Sequence, residues 1–265
     1  MGRTKEDRSE IPVPREKEMT SKVAVIVAAA GASTRFGGPV KKTFAKIGER
    51  AVIIRTLELF VNRDDVCEIV LAISEDDYDM VKTKFGANLG FMSVKLVKGG
   101  DKRWLTVRNA LAALSSEAKL VAIHDGARPC LAAETITQVF EAAEKTGAAI
   151  LAAPVNATVK RIGEQNTIEA TVDRNRLYLA QTPQVFKREL LLDAYKRITD
   201  THGDFTDDAQ VLEQAGMKVT IVESEQTNIK ITTQNDLKLA EVILAILPKP
   251  KKAGPTGPWA AEQGW

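Results

Sequence analysis

The apolar run VAVIVAAAG at residues 23–31 constrains the fold more than any other part of the sequence. An unbroken apolar run of this length predicts a strand that is buried on both faces, as in a parallel sheet covered by helices. The run ends in the small residues 28–31, which would let a ligand lie against the main chain. Because Arg35 and Lys42 follow in the next loop, the stretch predicts a phosphate-binding site at the carboxyl end of the strand. An ordinary first strand and turn of an α/β domain would show the same pattern.

Two common phosphate-binding motifs are absent from the sequence. The chain has no G-x-x-x-x-G-K-[ST] motif, and the loop at Gly31 lacks the G-x-G-x-x-G spacing. Their absence argues against a P-loop NTPase and against an NAD site. A loop of small residues followed by Arg35 and Lys42 is instead similar to the signature of nucleotidyltransferases, which join a nucleoside triphosphate to a sugar or polyol phosphate.

The composition of the chain limits the classes of partner that it can have. A formal net charge of +2 with 27% charged residues provides no basic surface for nucleic acid, and no run approaches the roughly 20 apolar residues of a membrane span. Cys67 and Cys130 are the only cysteines and form no C-x-x-C pair, which favours a reducing, cytoplasmic location. Because the only histidines are His124 and His202, a histidine-rich metal site is excluded, and oxygen ligands for Mg²⁺ remain available.

The two ends of the chain differ in composition from the rest. Residues 1–20 are polar and charged, which predicts a flexible N-terminal extension. Residues 248–265 are rich in Pro, Gly and Lys, which predicts a disordered C-terminal tail. A single α/β domain is therefore expected over residues 21–247. The apolar run after the charged start does not indicate a signal peptide, because the preceding segment is long and contains acidic residues.

Between these ends, strand-like and helix-like segments alternate along the chain. This order is typical of βαβ units in a parallel sheet with helices on both faces, so the expected fold class is α/β, with a mostly parallel, Rossmann-like sheet. After the first strand, strands are expected at residues 68–74, 93–97, 120–123, 148–152 and 218–222, and helices near residues 51–61, 76–85, 107–114, 134–145, 188–198 and 239–246.

The strand expected at residues 120–123 opens directly into HDGARP, residues 124–129. Asp125 would then lie at the carboxyl end of a strand, where open α/β sheets bind their ligands. It is the strongest acidic candidate for the site and the candidate ligand of Mg²⁺, and Arg128 lies close to it in the sequence. Since Asp-Gly is also a turn signal, the same aspartate could serve only the turn.

Residues 154–176 interrupt the alternation of strands and helices. Two short β-patterned segments flank Gly163–Asn166 and predict a two-stranded ribbon that stands off the sheet. Because an isolated ribbon is only marginally stable, it is expected to pack on a second subunit. Farther along the chain, Asp204, Asp207 and Asp208 could bind a metal ion, although D-x-x-D-D at the start of a helix is more often a helix cap.

Eight motifs occur in order across residues 23–245: AAAGASTR, VKKTFAKIG, GGDKRWLTV, HDGARP, APVNATVKR, TVDRNRLYLAQTPQVF, DFTDDAQVLEQAG and NIKIT. Together they resemble the 2-C-methyl-D-erythritol 4-phosphate cytidylyltransferase family of the non-mevalonate isoprenoid pathway. The resemblance implies a doubly wound sheet of the nucleotide-diphospho-sugar transferase type, with a projecting arm, here residues 154–176, that forms a homodimer. It also implies transfer of CMP from CTP to 2-C-methyl-D-erythritol 4-phosphate, with release of pyrophosphate and with assistance from Mg²⁺.

The resemblance also assigns roles to individual residues of this chain. Cationic stabilisation of the transition state would fall to Arg35, Lys42 and Lys230. The nucleotide would be met by Ala29, Ala30 and Gly31 through the main chain, and by Gly100, Asp101 and Thr106 around the cytosine. The acceptor substrate would be bound by Asp125, Arg128, Thr158, Arg174, Thr182 and Thr206, of which Arg174 and Thr206 would come from the partner subunit.

Three residues depart from the pattern of that family. Lys41 stands where proline is usual, Thr106 where serine is common, and Trp104 where a small residue is often found near the base. The path of the loop before Lys42 is therefore left open. Two other functions are also left open: a ribitol 5-phosphate cytidylyltransferase, which shares the fold and most of the motifs, and a non-catalytic nucleotide-binding regulator. The AAAG loop argues against the first. The presence of Arg35, Lys42, Asp125 and Lys230 argues against the second, because a protein that only binds a nucleotide needs no cations for a leaving group.

Overall fold

The computed structural model describes residues 21–115, 117–198 and 204–248. The predicted extension at residues 1–20 lies outside the described residues, as do His202 and all of the predicted tail except Pro248. The strands are β1 Val23–Ala28, β2 Lys46–Ile47, β3 Arg50–Ala51, β4 Val66–Ile73, β5 Val94–Lys98, β6 Leu120–Asp125, β7 Ala148–Pro154, β8 Val159–Ile162, β9 Ile168–Val172, β10 Tyr178–Lys187 and β11 Thr220–Glu223. The helices are α1 Val52–Val61, α2 Tyr78–Phe91, α3 Arg103–Ala112, α4 Ala133–Thr146, α5 Arg188–Arg197, α6 Asp208–Gln214 and α7 Gln234–Ile246, with 3₁₀ turns at Lys42–Phe44, Glu75–Asp77 and Glu164–Asn166.

A seven-stranded sheet in the order β11-β7-β10-β6-β1-β4-β5 forms the centre of the fold. β10 runs antiparallel to both of its neighbours, whereas the other neighbouring strands pair in parallel. In β1, Val25 and Val27 pack with the apolar residues of α1, α2 and α4, and Ile26 packs with those of α3, α5 and α6 on the opposite face. The first strand is therefore buried on both faces, and the predicted α/β, mostly parallel sheet is confirmed.

The ten-residue strand β10 was not expected from the sequence. Its first residues, Tyr178 to Ala180, are exposed, and the following residues up to Phe186 are buried. The mixed burial and Pro183 both obscure the strand pattern, because proline cannot donate to a sheet ladder. The ladder with β7 is interrupted between Ala180 and Gln184, so Pro183 lies where no ladder amide is required.

Other elements differ from the expectation mainly at their ends. β6 continues past the predicted end at Ile123 to include His124 and Asp125. α3 begins earlier than expected, at Arg103, and ends at Ala112, so Leu114, the last residue of the predicted helix, lies beyond it. The predicted ribbon is present as the antiparallel pair β8–β9, outside the main sheet. Within the described ranges, no helix is long and apolar enough to cross a bilayer.

Candidate active site

The loop after β1 and the end of β6 meet at the carboxyl edge of the sheet. β1 and β6 are parallel neighbours, with Ala28 paired to Asp125, and the Gly126 amide donates to the Ala28 carbonyl at 2.9 Å. A Cβ at Gly126 would lie only 2.8 Å from Cβ of Ala29 and 2.9 Å from Cδ1 of Ile53. Glycine is therefore required where the HDGARP turn passes under the small-residue loop.

A cleft opens at this edge of the sheet, between the loop after β1, the loop before α3 and the turn after β6. It is lined by nine of the residues predicted for the site: Ala29, Ala30, Gly31, Lys42, Gly100, Asp101, Thr106, Asp125 and Lys230. Lys102 and Arg103 also line the cleft and were not predicted. The structure thus brings the predicted nucleotide residues and two of the three predicted catalytic cations into one place.

Asp125 is the electrostatic centre of the cleft. Its Oδ2 lies 2.9 Å from Nζ of Lys230 and 3.3 Å from Nε of Arg128, and its Oδ1 lies 3.9 Å from Nη2 of Arg103. Burial by itself raises the pKa of this carboxyl, but the three cations outweigh burial and hold the pKa well below its usual range. Asp125 is therefore ionised at neutral pH.

Lys42 is the first residue of the 3₁₀ turn at Lys42–Phe44, and its ammonium feels the charges of Lys230 and Asp125. Burial, followed by the charge of Lys230, lowers the pKa of the Lys42 ammonium, and the nearby Asp125 partly opposes this shift. Arg35 is exposed and does not line the cleft, although its charge acts on Lys42. Arg35 thus lies at the approach to the cleft, where an anionic ligand could reach it.

The segment containing Lys230 is attached to the turn after β6. The Ile231 amide donates to the Ala127 carbonyl at 2.9 Å, and Nη1 of Arg128 donates to the Asn228 carbonyl at 2.6 Å. Residues 228–232 form neither a helix nor a strand. These contacts to the turn are what hold Lys230 beside Asp125.

The predicted cytosine loop is shaped by Thr106. The Gly100 amide donates to Oγ1 of Thr106 at 3.1 Å, and this oxygen lies within donating distance of the carbonyls of Gly100 and Lys102. A Cβ at Gly100 would lie 2.5 Å from Cβ of Leu105. The buried hydroxyl of Thr106 therefore holds the turn in shape. Serine, which is common at this position in the family, has the same hydroxyl and could make the same hydrogen bonds.

His124 was not predicted to take part in the site, but it connects two residues that were. Its Nε2 lies 3.0 Å from the Arg128 carbonyl, and its Nδ1 lies 3.1 Å from Oγ1 of Thr182. Because a carbonyl only accepts, Nε2 carries the proton and Nδ1 accepts from the Thr182 hydroxyl. That hydroxyl oxygen in turn accepts from the Asp125 amide at 3.0 Å. Burial lowers the pKa of His124 to about 4, so the ring is neutral at physiological pH.

Arg103 connects the cleft to α6 and was also not predicted. Its Nη2 lies 2.7 Å from Oδ2 of Asp208, whose side chain is fully buried, and Tyr195 donates its hydroxyl to Oδ1 of the same aspartate at 2.6 Å. Burial alone lowers the pKa of Arg103, but Asp208 and then Asp125 outweigh it and raise the pKa. Asp207 caps α6 by accepting from the Gln210 amide at 3.0 Å. The cap interpretation is therefore confirmed for Asp207, whereas Asp208 is a buried counter-ion.

Of the six predicted substrate residues, only Asp125 lines the cleft. Arg128 and Thr182 contact Asp125 from behind the lining, and the other three lie away from the cleft of this chain. Thr158, Arg174 and Thr206 are exposed. Arg174 donates through Nη1 to the Asn156 carbonyl, and Thr206 donates from its amide to Oε1 of Gln210 at 2.9 Å. The predicted roles of Arg174 and Thr206 depend on the expected second subunit, and the role of Thr158 stays a prediction.

The carboxylate chemistry of the cleft is compatible with one Mg²⁺. In the described ranges, no group of three or more His, Cys, Asp or Glu side chains could hold a metal ion by itself. Mg²⁺ that is bound with a nucleotide usually needs only one or two carboxylates, because phosphate oxygens and water complete its coordination. Asp125 meets this requirement, since its Oδ1 has only the distant Arg103 contact at 3.9 Å.

Comparison with known proteins identifies the family of the chain. The sequence profile of the family described as 2-C-methyl-D-erythritol 4-phosphate cytidylyltransferase matches residues 23–246. The chain belongs to this family. The matched range contains every residue of the cleft, and it confirms the resemblance carried by the eight motifs.

Curated cytidylyltransferases of this name are similar over most of their length. The protein from Alkaliphilus metalliredigens is 37% identical over 227 residues, which cover 85% of this chain and 94% of the relative. The protein from Rhodopirellula baltica is 40% identical over 233 residues, which cover 84% of this chain and 94% of the relative.

Solved structures of the family share the fold. The 4-diphosphocytidyl-2C-methyl-D-erythritol synthase from Anaerococcus prevotii superposes with a TM-score of 0.72 at 31% identity, covering 85% of this chain and 96% of that one. The cytidylyltransferase from Thermus thermophilus superposes with a TM-score of 0.69 at 31% identity, covering 86% of this chain and 100% of that one. The doubly wound, Rossmann-like sheet implied by the resemblance is therefore confirmed.

Proposed function

We infer that the protein transfers CMP from CTP to 2-C-methyl-D-erythritol 4-phosphate, giving 4-diphosphocytidyl-2-C-methyl-D-erythritol and pyrophosphate in isoprenoid precursor biosynthesis. One observation carries this conclusion: in a member of the cytidylyltransferase family, Lys42, Asp125 and Lys230 line one cleft with the small-residue loop. A non-catalytic regulator would have no need of Lys42 and Lys230 to stabilise a leaving group.

The charges of the cleft suit phosphoryl transfer without a general base. An ionised phosphate oxygen of the acceptor attacks the α-phosphorus of CTP, and the bond from that phosphorus to the bridging oxygen of the leaving pyrophosphate breaks. Negative charge develops on the leaving group and on the equatorial oxygens, where Lys42 and Lys230 stabilise it. His124 takes no part in proton transfer, because the ring is buried and both nitrogens already have partners.

We propose that the reaction uses Mg²⁺ bound with the triphosphate and that Asp125 holds it through Oδ1. When bound, the ion would neutralise part of the charge of the phosphates. Asp125→Asn should raise the Mg²⁺ concentration needed for half-maximal activity. Equal Mg²⁺ requirements in the variant and the wild type would remove Asp125 as the ligand.

We propose a homodimer formed through the arm at residues 154–176. Support comes from Ile162 and Ile168, which lie on β8 and β9 with 58% and 65% of their surface exposed. Exposed apolar residues on a projecting ribbon are typical of a surface that a partner covers. A cytoplasmic location is proposed as well, since Cys67 and Cys130 are both free thiols.

A pyrophosphate-release assay tests the function directly. CTP with 2-C-methyl-D-erythritol 4-phosphate should give turnover, and CTP with ribitol 5-phosphate should give much less. CTP should be preferred over UTP by at least about tenfold in kcat/KM, because an unpaired buried polar group costs roughly 1–3 kcal/mol. Preference for ribitol 5-phosphate, or equal use of CTP and UTP, would contradict the assignment.

A further inference from the structure

Lys41, the residue before the predicted catalytic lysine, immediately precedes the 3₁₀ turn that carries Lys42 into the cleft. The Lys41 carbonyl accepts from the amides of Phe44 and Ala45 at 2.9 and 3.1 Å. Its backbone has φ −63° and ψ 146°, and this φ is the value at which a proline ring locks the chain. Any restraint on Lys41 therefore acts directly on the position of Lys42.

The side chain of Lys41 contacts the end of β4 rather than the cleft. Its Nζ lies 2.7 Å from Oδ2 of Asp77 and 3.4 Å from Oγ of Ser74, and the Ser74 hydroxyl donates to the same Asp77 oxygen at 2.5 Å. The two charged side chains are only 32% and 13% exposed. Asp77 precedes α2 without capping it through its side chain, so its carboxylate is available to Lys41.

The loop that ends at Lys41 needs such a restraint. Residues 37–40 are exposed, and Gly37 and Gly38 have positive φ values of 71° and 80°. Glycines permit many backbone conformations. Phe36 before the loop and Thr43 and Phe44 after it are buried, and the side chain of Lys41 adds a contact at the exposed end of the loop, directly before Lys42.

We propose that the Lys41–Asp77 ion pair positions Lys42 for the triphosphate, doing through charge what a fixed φ would do at this position. Ser74 follows β4 directly, so the pair attaches the loop to the central sheet. Lys41 is a positioning residue, because it does not line the cleft and its ammonium pairs with Ser74 and Asp77, which do not line it either. The inference rests on the proposed cytidylyltransferase function for its kinetic readout.

The kinetic experiment compares Lys41→Ala, Asp77→Asn and the double variant. Each single variant should lower kcat/KM for CTP by about three- to fivefold, the effect of losing a partly exposed ion pair, and the double variant should be no worse than either single one. Glu75→Gln is the matched control, because Glu75 lies on the same 3₁₀ turn and pairs with Lys98 at 2.7 Å through highly exposed side chains. It should behave as wild type.

Lys41→Pro tests whether the positioning of Lys42 requires the charge of Lys41 or only a restrained backbone at this residue. It should recover wild-type kcat/KM, since proline matches the observed φ and the Lys41 amide donates no backbone hydrogen bond within the described residues. A Lys41→Pro variant as impaired as Lys41→Ala would overturn the inference. The inference would also be overturned if Asp77→Asn kept wild-type kcat/KM while Lys41→Ala lost it, because Lys41 would then act by contacting the nucleotide itself.

Hydrogen exchange provides a readout that does not depend on any substrate. The Phe44 and Ala45 amides should exchange faster in Lys41→Ala and Asp77→Asn than in wild type, and Glu75→Gln should leave them unchanged. Unchanged exchange in all variants would overturn the positioning role. An inactive wild type would contradict the proposed function alone, and the exchange result would still decide the role of the pair.

Discussion

Asp125 and Arg103 each have a counter-ion within the protein, whereas Lys42 has none at salt-bridge distance in the described ranges. Asp125 pairs with Lys230, and Arg103 pairs with the buried Asp208. A half-buried cation whose pKa is lowered by burial and by a neighbouring cation gains most from an anion that enters the cleft. At the scale of single residues, Lys42 is therefore the group best placed to bind the triphosphate.

Lys42→Ala should reduce kcat by about 10²- to 10³-fold, the typical effect of losing one preorganised transition-state contact. The melting temperature should not fall, because no ion pair is lost. Lys46→Ala is the control, because the Lys46 ammonium is exposed and has only a weak contact, at 3.9 Å, with Glu49. This variant should retain full activity. Steady-state kinetics and thermal melts measure both effects. A Lys42→Ala enzyme with normal kcat would exclude this lysine from the mechanism.

His124 should make the stability of the protein depend on pH. The unfolded chain protonates a histidine near pH 6.5, whereas the buried ring does so only near 4. The stabilisation by the neutral ring is thus complete above about pH 6.5 and is lost as the pH falls toward 4, on the order of 3 kcal/mol in all. Urea unfolding of wild type and His124→Gln between pH 4.5 and 7.5 measures this loss. If the free energies of unfolding of the two proteins changed with pH in parallel, His124 would not be the source of the pH dependence.

At the scale of elements, the site depends on how closely the loop after β1 passes over the turn after β6. The Ala28–Asp125 pairing places the two segments side by side, and the small side chains of the loop leave room for the turn. β10 completes the floor, since Thr182 accepts from the Asp125 amide. A strand that the sequence concealed thus holds one of the predicted substrate residues.

Gly126→Ala should impair both folding and nucleotide binding. The new Cβ would lie 2.8 Å from Cβ of Ala29, so the loop must shift, at a cost of about 1–3 kcal/mol in the free energy of unfolding, and KM for CTP should rise. Gly86→Ala is the control within α2, where a Cβ meets nothing within 4 Å. It should stabilise the protein by roughly 0.5–1 kcal/mol. Denaturant titrations of both variants test this, and a similar outcome for both would show that the close approach is unimportant.

At the scale of the whole molecule, the cleft of one chain lacks the predicted residues of the arm. Arg174 is exposed and its Nη1 contacts the Asn156 carbonyl of the same ribbon. The arm extends from the junction of β7 and β10, with Leu179 also 53% exposed at its base. For Arg174 to act on substrate, the proposed dimer must bring the arm of one subunit to the cleft of the other.

Mixing two inactive variants, Arg174→Ala and Lys42→Ala, should restore part of the activity. One cleft in each mixed dimer would then have both groups, provided that Arg174 acts on the partner's cleft. The mixture is assayed after subunit exchange, which is verified with differently tagged subunits. No recovery after verified exchange would place Arg174 in its own subunit's site or outside any site.

Much of the fold and most of the cleft were predictable from local patterns. The apolar run at residues 23–31 predicted a buried strand that ends in a ligand loop, and the motifs placed Lys42, Asp125 and Lys230 in one site. The strand β10 was missed because Pro183 and the change from exposed to buried residues hide its periodicity. Arg103 was missed because a single arginine in GGDKRWLTV carries no sign of its buried partner.

The sequence by itself determined the α/β alternation of most strands and helices, the family, and the predicted residues that line the cleft, because periodicity and ordered motifs are local properties of the chain. Only the tertiary structure decided which charges are neutralised: Asp208 pairs with Arg103, Asp77 with Lys41, and His124 joins Arg128 to Thr182. Except for His124 and Arg128, which share the HDGARP motif, these partners come from separate segments of the chain. Their pairing depends on distance and burial in the folded protein, which residue spacing along the sequence does not encode.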